Sequence, residues 1–208
     1  MEFKEQKVEF MKNLSPVEMT KKIEQAGRTC YKSDGNVKKN TTEEFIRMII
    51  SNGHESVLEH GLLSVKLTTN RAIANELVRH RIASYSQEST RYVNYGKRNE
   101  FFFISQNYSK ISEENKNTVK DILSQTMEII EESYDLIFKL TKSTDIARDI
   151  LPLGLSSDIS VSMNLRSWRH FFKLRLEKVA HPMIRDLARK ILDIFREKGY
   201  SIFFEDVK

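Results

Sequence analysis

The stretch Arg79-His80-Arg81-Ile82-Ala83-Ser84-Tyr85-Ser86-Gln87-Glu88-Ser89-Thr90-Arg91 is dense in hydrogen-bond donors. Arg79, Arg81 and Arg91 bring guanidinium forks, His80 brings a ring that switches charge near neutral pH, and Ser84, Ser86, Ser89 and Thr90 bring hydroxyls. Glu88 is the one acidic side chain among them. Guanidinium forks match phosphate oxygens in bidentate geometry and hydroxyls complete the shell, so the chemistry expected is capture of a nucleotide or another phosphorylated ligand. On composition alone a plainer role competes: Arg79, His80 and Arg81 closing a helix C-terminus, where cations meet the last carbonyls and the dipole.

The spacing narrows the choice. Arg79-His80-Arg81 with Ser89 eight positions after Arg81, followed by Arg91-Tyr92, resembles the signature of the flavin-dependent thymidylate synthases. Other segments match in the same order: His54-Glu55-Ser56 and Glu59-His60 upstream, then Ala147-Arg148 with Leu151-Pro152, Asn164-Leu165-Arg166-Ser167 and Leu174-Arg175 downstream. The resemblance covers most of the chain. It implies reductive methylation of dUMP to dTMP, with methylenetetrahydrofolate as one-carbon donor and NADPH-reduced FAD as hydride source. It also implies a homotetramer with active sites between subunits. Position by position, it implies that Arg175 is the principal catalytic residue. It gives dUMP to Glu76, Arg79, Gln87, Ser89, Arg91, Arg148 and Arg175, and FAD to Ser56, Arg79, His80, Arg81, Gln87, Asn164, Arg166 and His170.

That chemistry has a physical requirement. C5 of a uracil ring is a poor nucleophile, and a guanidinium beside N3 and its neighbouring carbonyl would stabilise the anionic ring and raise electron density at C5. The resemblance gives this task to Arg175. The other remedy, addition of a cysteine to C6, would fall to the single cysteine, Cys30, which no activating motif surrounds. Ser89 as a nucleophile lacks a visible histidine–carboxylate relay. The chain departs from the common pattern at Ser86-Gln87, at His170 and at Val179-Ala180-His181-Pro182-Met183, so no role is carried over just beyond Arg175. Two rival readings stay open. One is a homologue acting on another pyrimidine nucleotide or with another one-carbon donor. The other is a nucleotide- or RNA-binding module without catalysis.

Composition bounds the setting. A chain of 208 residues is expected to form one domain over 1–208, and 39% hydrophobic residues with 30% charged ones suit a solvated protein with a sizeable core. No apolar run nears the roughly 20 residues of a membrane span, and Met1-Glu2-Phe3-Lys4-Glu5 lacks a signal-peptide core, so a cytoplasmic setting is expected. The net charge of +5 suits small anions as well as nucleic acid. With no basic tail and no basic–aromatic ladder, neither nucleic acid nor membrane is the expected partner. One cysteine excludes an internal disulfide, and His54 and His60 do not share a helix face, so no metal is expected. No Gly-x-Gly-x-x-Gly occurs, so FAD is not expected on a Rossmann fold.

These side chains need a scaffold, and the patterning predicts an α+β fold: a small, mostly antiparallel sheet surrounded by helices. A strand is expected from Lys7. A helix capped by Ser15-Pro16-Val17-Glu18 should turn Met19, Ile23, Ala26 and Cys30 inward. A loop follows at Lys32-Ser33-Asp34-Gly35-Asn36, then a helix from Thr41-Thr42-Glu43-Glu44 with Phe45, Met48 and Ile49 inward, ending at Asn52-Gly53. Leu63, Val65 and Leu67 mark a strand, and Asn70 caps a helix with Ile73, Ala74, Leu77 and Val78 inward and Glu76 and Arg79 on one face. The donor-rich stretch should continue as a loop. Strands are expected at 92–95 and 101–104, with a turn at Lys97-Arg98-Asn99-Glu100. A helix from Ser112 to about Lys142, with Val119, Ile122, Leu123, Met127, Ile130, Tyr134 and Ile137 along one side, spans about 45 Å, long enough to pack on another subunit. After a short helix ending before Pro152, a strand at 158–163, a helix capped by Asn164 and a helix opened by His181-Pro182 complete the chain.

Overall fold

The computed structural model describes residues 2–31, 42–98, 101–106, 108 and 111–207. A short strand, β1 (Glu2–Lys4), precedes the one expected from Lys7, which forms as β2 (Lys7–Phe10). Ser15 caps α1 (Pro16–Tyr31): its hydroxyl donates to Glu18 Oε2 at 2.6 Å, and the same carboxylate accepts from the Ser15 backbone N–H at 2.9 Å. Met19 and Ile23 are fully buried, but Cys30, expected inside, is exposed. Gly27 packs against the Phe45 ring, which an added Cβ would meet at 2.6 Å, whereas Cys30 on the last turn is left in solvent. α2 (Thr42–Ser51) buries Ile46 and Ile49 and leaves Met48 exposed, a one-residue rotation of the expected stripe. It ends as the sequence predicts. Gly53 takes φ +70°, and His54 N–H reaches back to Ile49 O at 2.9 Å.

A 3-10 run over Glu55–His60 leads into β3 (Leu62–Asn70), where Leu63, Val65 and Leu67 are fully buried. Asn70 Oδ1 accepts from Ile73 N–H at 2.8 Å and starts α3 (Arg71–Leu77). This helix stops at Leu77. Val78 is exposed and Arg79 lies in the following turn, so Glu76 and Arg79 do not share a helix face. Ser84–Gln87 forms a strand, β4, where a loop was expected. Residues 92–94 form no strand, because Ser89 O takes the Tyr92 and Val93 amides at 3.1 and 3.0 Å, and the chain passes into the short helix α4 (Tyr95–Arg98). β5 (Phe102–Ile104) is followed by α5 (Glu113–Thr141), capped by Ser112, whose Oγ accepts from Asn115 N–H at 3.2 Å. Then come α6 (Thr144–Ala147) with a 3-10 turn at Arg148–Ile150, β6 (Ser156–Asn164), α7 (Leu165–Arg175) and α8 (Pro182–Phe195). The expected loop at 32–36, the Thr41 cap and the Asn99-Glu100 part of the expected turn lie outside the described residues.

The strands form a parallel pair, β1 with β5, and a four-stranded sheet in the order β2-β3-β6-β4. Ser64 meets Ser162 and Thr68 meets Asp158, so β3 and β6 run antiparallel. Thr69 to Gln6 and Met11 to Ser64 give the same relation for β2 and β3. This is the α+β class expected, with the parallel pair forming a second small sheet.

Contacts gather the chain into two compact units. The first comprises Met1–Lys7, Leu67–Leu77 and Ser86–Ile159, the second Val8–Lys66, Val78–Tyr85 and Ser160–Lys208. The first packs Phe101 and Tyr134 edge to face at 5.2 Å, with Tyr95, Phe103, Met127, Ala147 and Leu155 around them. Along α5, Met127 and Tyr134 are buried, whereas Ile122, assigned to the inner side by periodicity, is 58% exposed. With Ile129, Leu136 and Leu140 it forms an open apolar stripe. The second unit is centred on Trp168, which packs against Phe171, Phe172 and Phe195 and donates its ring N–H to Leu63 O at 3.0 Å. The α8 stripe of Ile184, Leu187, Ala188, Ile191, Leu192 and Phe195 is buried as predicted.

Candidate active site

In the second unit, Asn164 ends β6 and begins α7, its Oδ1 accepting from Ser167 N–H at 2.8 Å. The helical period then splits α7. Leu165, Trp168, Phe171 and Phe172 turn inward, and Arg166, His170 and Lys173 turn to the open side. That open side walls a cavity of about 1200 Å³, which Arg79, His80, Arg81, Asn164, Arg166, His170 and Arg175 all line. Seven positions assigned by resemblance thus converge on one surface. The same cavity is lined by the acids Glu55, Glu59, Glu177 and Asp206, three of which are already matched. Glu59 holds Arg166 at 2.6 Å, and Glu55 and Asp206 hold Arg169 at 2.9 and 2.6 Å. With Lys173 and Lys178 also present, cationic side chains outnumber acids along the wall. The volume exceeds the roughly 300–1000 Å³ usual for small-molecule pockets. A dinucleotide-sized anion such as FAD fits both the space and the donor set.

His80 sits against this wall with unusual constraints. Its Nε2 accepts from Arg175 Nε–H at 3.0 Å, its ring meets Phe171 edge to face at 5.0 Å, and its carbonyl accepts from the Tyr85 hydroxyl at 2.9 Å. Burial, with Arg175 and His170 nearby, holds its pKa down at about 4, so the ring is neutral at physiological pH. Burial likewise pushes Tyr85 up to about 12. Between the unperturbed 6.5 and about 4, the unfolded chain binds a proton at His80 that the folded chain refuses. This group therefore removes stability as pH falls through that window and has no effect above it. Thermal melts at pH 7 and pH 5 should show a smaller acid loss for His80→Gln than for the unsubstituted protein. Equal losses would mean that His80 titrates as an ordinary histidine.

The other predicted positions, apart from Ser56, lie in the first unit. Arg91 Nε and Arg148 Nη2 both approach Asp145 Oδ1, at 3.4 and 2.9 Å, so one carboxylate gathers the two arginines. Thr144 Oγ1 donates to the Arg91 carbonyl. Ser89 Oγ accepts from Arg91 N–H at 3.3 Å, which places its hydroxyl at the base of the same turn. Gln87 Nε2 donates to Ser157 Oγ at 3.2 Å, and Glu76 is half-buried on the last turn of α3. Paired guanidinium groups with a hydroxyl beside them suit a phosphate. Ser56 is exposed on the 3-10 run and does not line the cavity of the second unit.

Sequence reasoning passed over Asp145 and Arg169. The three-residue spacing of Asp145 and Arg148 was a readable signal for a pair on one helical turn. Arg169 carried no such signal, because its partners Glu55 and Asp206 are remote in sequence. Among the described residues no group of three or more His, Cys, Asp or Glu is placed to hold a metal ion, and no helix is long and apolar enough to cross a membrane.

Comparison with known proteins bears on this arrangement. A flavin-dependent thymidylate synthase of Pyrococcus furiosus is 36% identical over 170 residues, covering 80% of this chain and 68% of that protein. One of Thermococcus onnurineus is 38% identical over 153 residues, covering 72% of this chain and 60% of that protein, and one of Corynebacterium diphtheriae is 32% identical over 192 residues, covering 87% and 76%. The fold is shared with a UMP/dUMP methylase of Streptomyces cacaoi crystallised with 5-Br dUMP, at a TM-score of 0.82, 20% identity and coverage of 99% of this chain and 97% of that one. Residues 15–198 match the family model described as "Thymidylate synthase complementing protein". With its motifs in family order and that match over most of its length, the chain belongs to the thymidylate synthase complementing protein family.

Proposed function

We propose that this protein, acting as one catalytic domain over 1–208, converts dUMP to dTMP by reductive methylation, using methylenetetrahydrofolate as one-carbon donor and NADPH as reductant of bound FAD. The observation that carries the reading is the convergence of Arg79, His80, Arg81 and Arg175 on one cavity wall, in a chain of this family. Ser56, Arg79, His80, Arg81, Gln87, Asn164, Arg166 and His170 would hold FAD. When bound and reduced, FAD supplies the hydride that completes the methyl group. Arg175 stabilises negative charge on the N3–carbonyl edge of the uracil and so makes C5 nucleophilic. Ser89, Arg91 and Arg148 bind the phosphate, with Glu76, Arg79 and Gln87 on the rest of the nucleotide. The open stripe of Ile122, Ile129, Leu136 and Leu140 supports assembly through α5, here as a homotetramer with active sites between subunits.

The deciding experiment is tritium release from dUMP labelled at C5, with FAD, NADPH and methylenetetrahydrofolate present. NADPH-dependent release with dTMP as product is the expected result. A folded, flavin-loaded protein that releases nothing from dUMP but methylates another nucleotide would replace the substrate. UMP belongs in the same assay, because the related fold occurs in a UMP/dUMP methylase. A colourless protein that binds RNA in a strongly salt-dependent way would favour a binding module instead.

Ser89→Ala should raise the KM for dUMP about 10-fold or more, the loss of one hydrogen bond to a charged group, with kcat retained at saturating dUMP. Complete loss of turnover at saturation would make Ser89 a nucleophile.

A further inference from the structure

We infer that His80 is a positioning residue for Arg175: its Nε2 accepts the Arg175 Nε–H at 3.0 Å and thereby fixes the plane of the guanidinium. The inference rests on the proposed role of Arg175 in activating dUMP. A guanidinium offers two bidentate edges, one including Nε and one made of the two terminal nitrogens. Engaging Nε–H at His80 fixes the plane in which the two terminal nitrogens lie.

The imidazole is itself held in place. Phe171 packs its edge on the ring at 5.0 Å and His170 stands at 6.4 Å, both from α7, while Tyr85 fixes the His80 carbonyl at 2.9 Å. Phe171 is fully buried, so the ring rests on a wall that does not yield. An acceptor at Nε2 requires the proton on Nδ1, and a protonated ring would set N–H against N–H and one cation beside another. Arg175 and His170 from α7 stand against the His80 ring, Tyr85 from β4 holds its carbonyl, and Arg79 and Arg81 are its chain neighbours. Burial and the first two keep the ring neutral, at about 4. Glu55, Glu59 and Asp206 line the same cavity but are paired with Arg169 or Arg166. The acceptor is therefore available through the whole neutral range.

The test compares His80→Ala with His80→Gln, whose amide oxygen reaches the place of Nε2 and does not titrate. His80→Ala should lower kcat for dUMP about 10-fold or more with KM changed less than about threefold, as expected for loss of orientation rather than of binding. His80→Gln should recover most of the loss. In an Arg175→Ala background, His80→Ala should add no further loss. Nitrogen NMR of the flavin-loaded protein at pH 7 should find His80 protonated at Nδ1 and bare at Nε2, with the Nε2 resonance moving in Arg175→Ala. Full activity in His80→Ala, Gln no better than Ala, or a proton on Nε2 at pH 7 would overturn the inference. Retained dUMP turnover in Arg175→Ala would instead overturn the role of Arg175 itself, which separates the two failures.

Discussion

Replacing Arg175 with alanine is expected to cut turnover of dUMP about 10²- to 10³-fold while the flavin stays bound, the size of effect seen when one charge-stabilising donor is removed from an active site. The side chain lies at the C-terminal end of α7, half-buried, on the wall that also carries Arg79, His80 and Arg81. A cation in such a place is only partly hydrated. Its effect on a developing negative charge is therefore larger than in bulk water. The loss should fall on kcat, because the charge it is proposed to stabilise is greatest in the transition state. Lysine should rescue only in part, since a point charge cannot present two parallel N–H groups to the ring edge. Tritium release measures turnover, and the absorbance of the bound flavin reports retention. Loss of flavin from a folded variant would move Arg175 from the nucleotide to the cofactor.

Arg169→Ala should destabilise the fold strongly. The residue is 7% exposed on the inner side of α7. Its Nε donates to Glu55 at 2.9 Å, Nη1 to Phe203 O at 2.7 Å and to Asp206 Oδ1 at 2.6 Å, and Nη2 to Asp206 Oδ2 at 2.6 Å. The Arg169 hydrogen bonds hold the Asp206 carboxyl below its usual range. Breaking a buried pair costs about 3–5 kcal/mol. The Asp206 side chain is 57% exposed and can rehydrate, which favours the lower end, about 3 kcal/mol. In a chain of this size that corresponds to a fall in Tm of roughly 6–12 °C. Differential scanning calorimetry measures it directly. A fall of under about 2 °C would mean that the network contributes little net stability. Arg169→Lys should not restore the loss, because one ammonium cannot serve Glu55, Asp206 and the Phe203 carbonyl together.

What the sequence revealed follows the range of the forces involved. Ser15 with Glu18, Asn70 with Ile73, Ser112 with Asn115 and Asn164 with Ser167 are contacts across one turn, and each helix start was legible from them. The α8 stripe was legible for the same reason, since a strict period needs no knowledge of the partner. Cys30 and Ile122 failed because periodicity gives a face and not whether anything covers it. Residues 92–94 failed because their β-forming side chains yielded to two short hydrogen bonds from the turn at Ser89. The residues proposed for the cofactor came only from resemblance to a family. Composition could not have brought residues 79–81 and 164–175 to one wall. The Asp145 bridge between Arg91 and Arg148 went unread because its two arginines are far apart in sequence.

The division of labour along α7 bears on how such a protein can change. Trp168, Phe171 and Phe172 are fully buried, and Arg166, His170 and Lys173 are exposed between them. Variation at 166, 170 and 173 therefore draws little on the reserve of folding free energy, since exposed positions away from caps and cores usually shift stability by no more than about 0.5 kcal/mol. A combinatorial library over these three codons should yield mostly soluble, folded protein. Selection for a different ligand could act on that helix face while the opposite face preserves the fold.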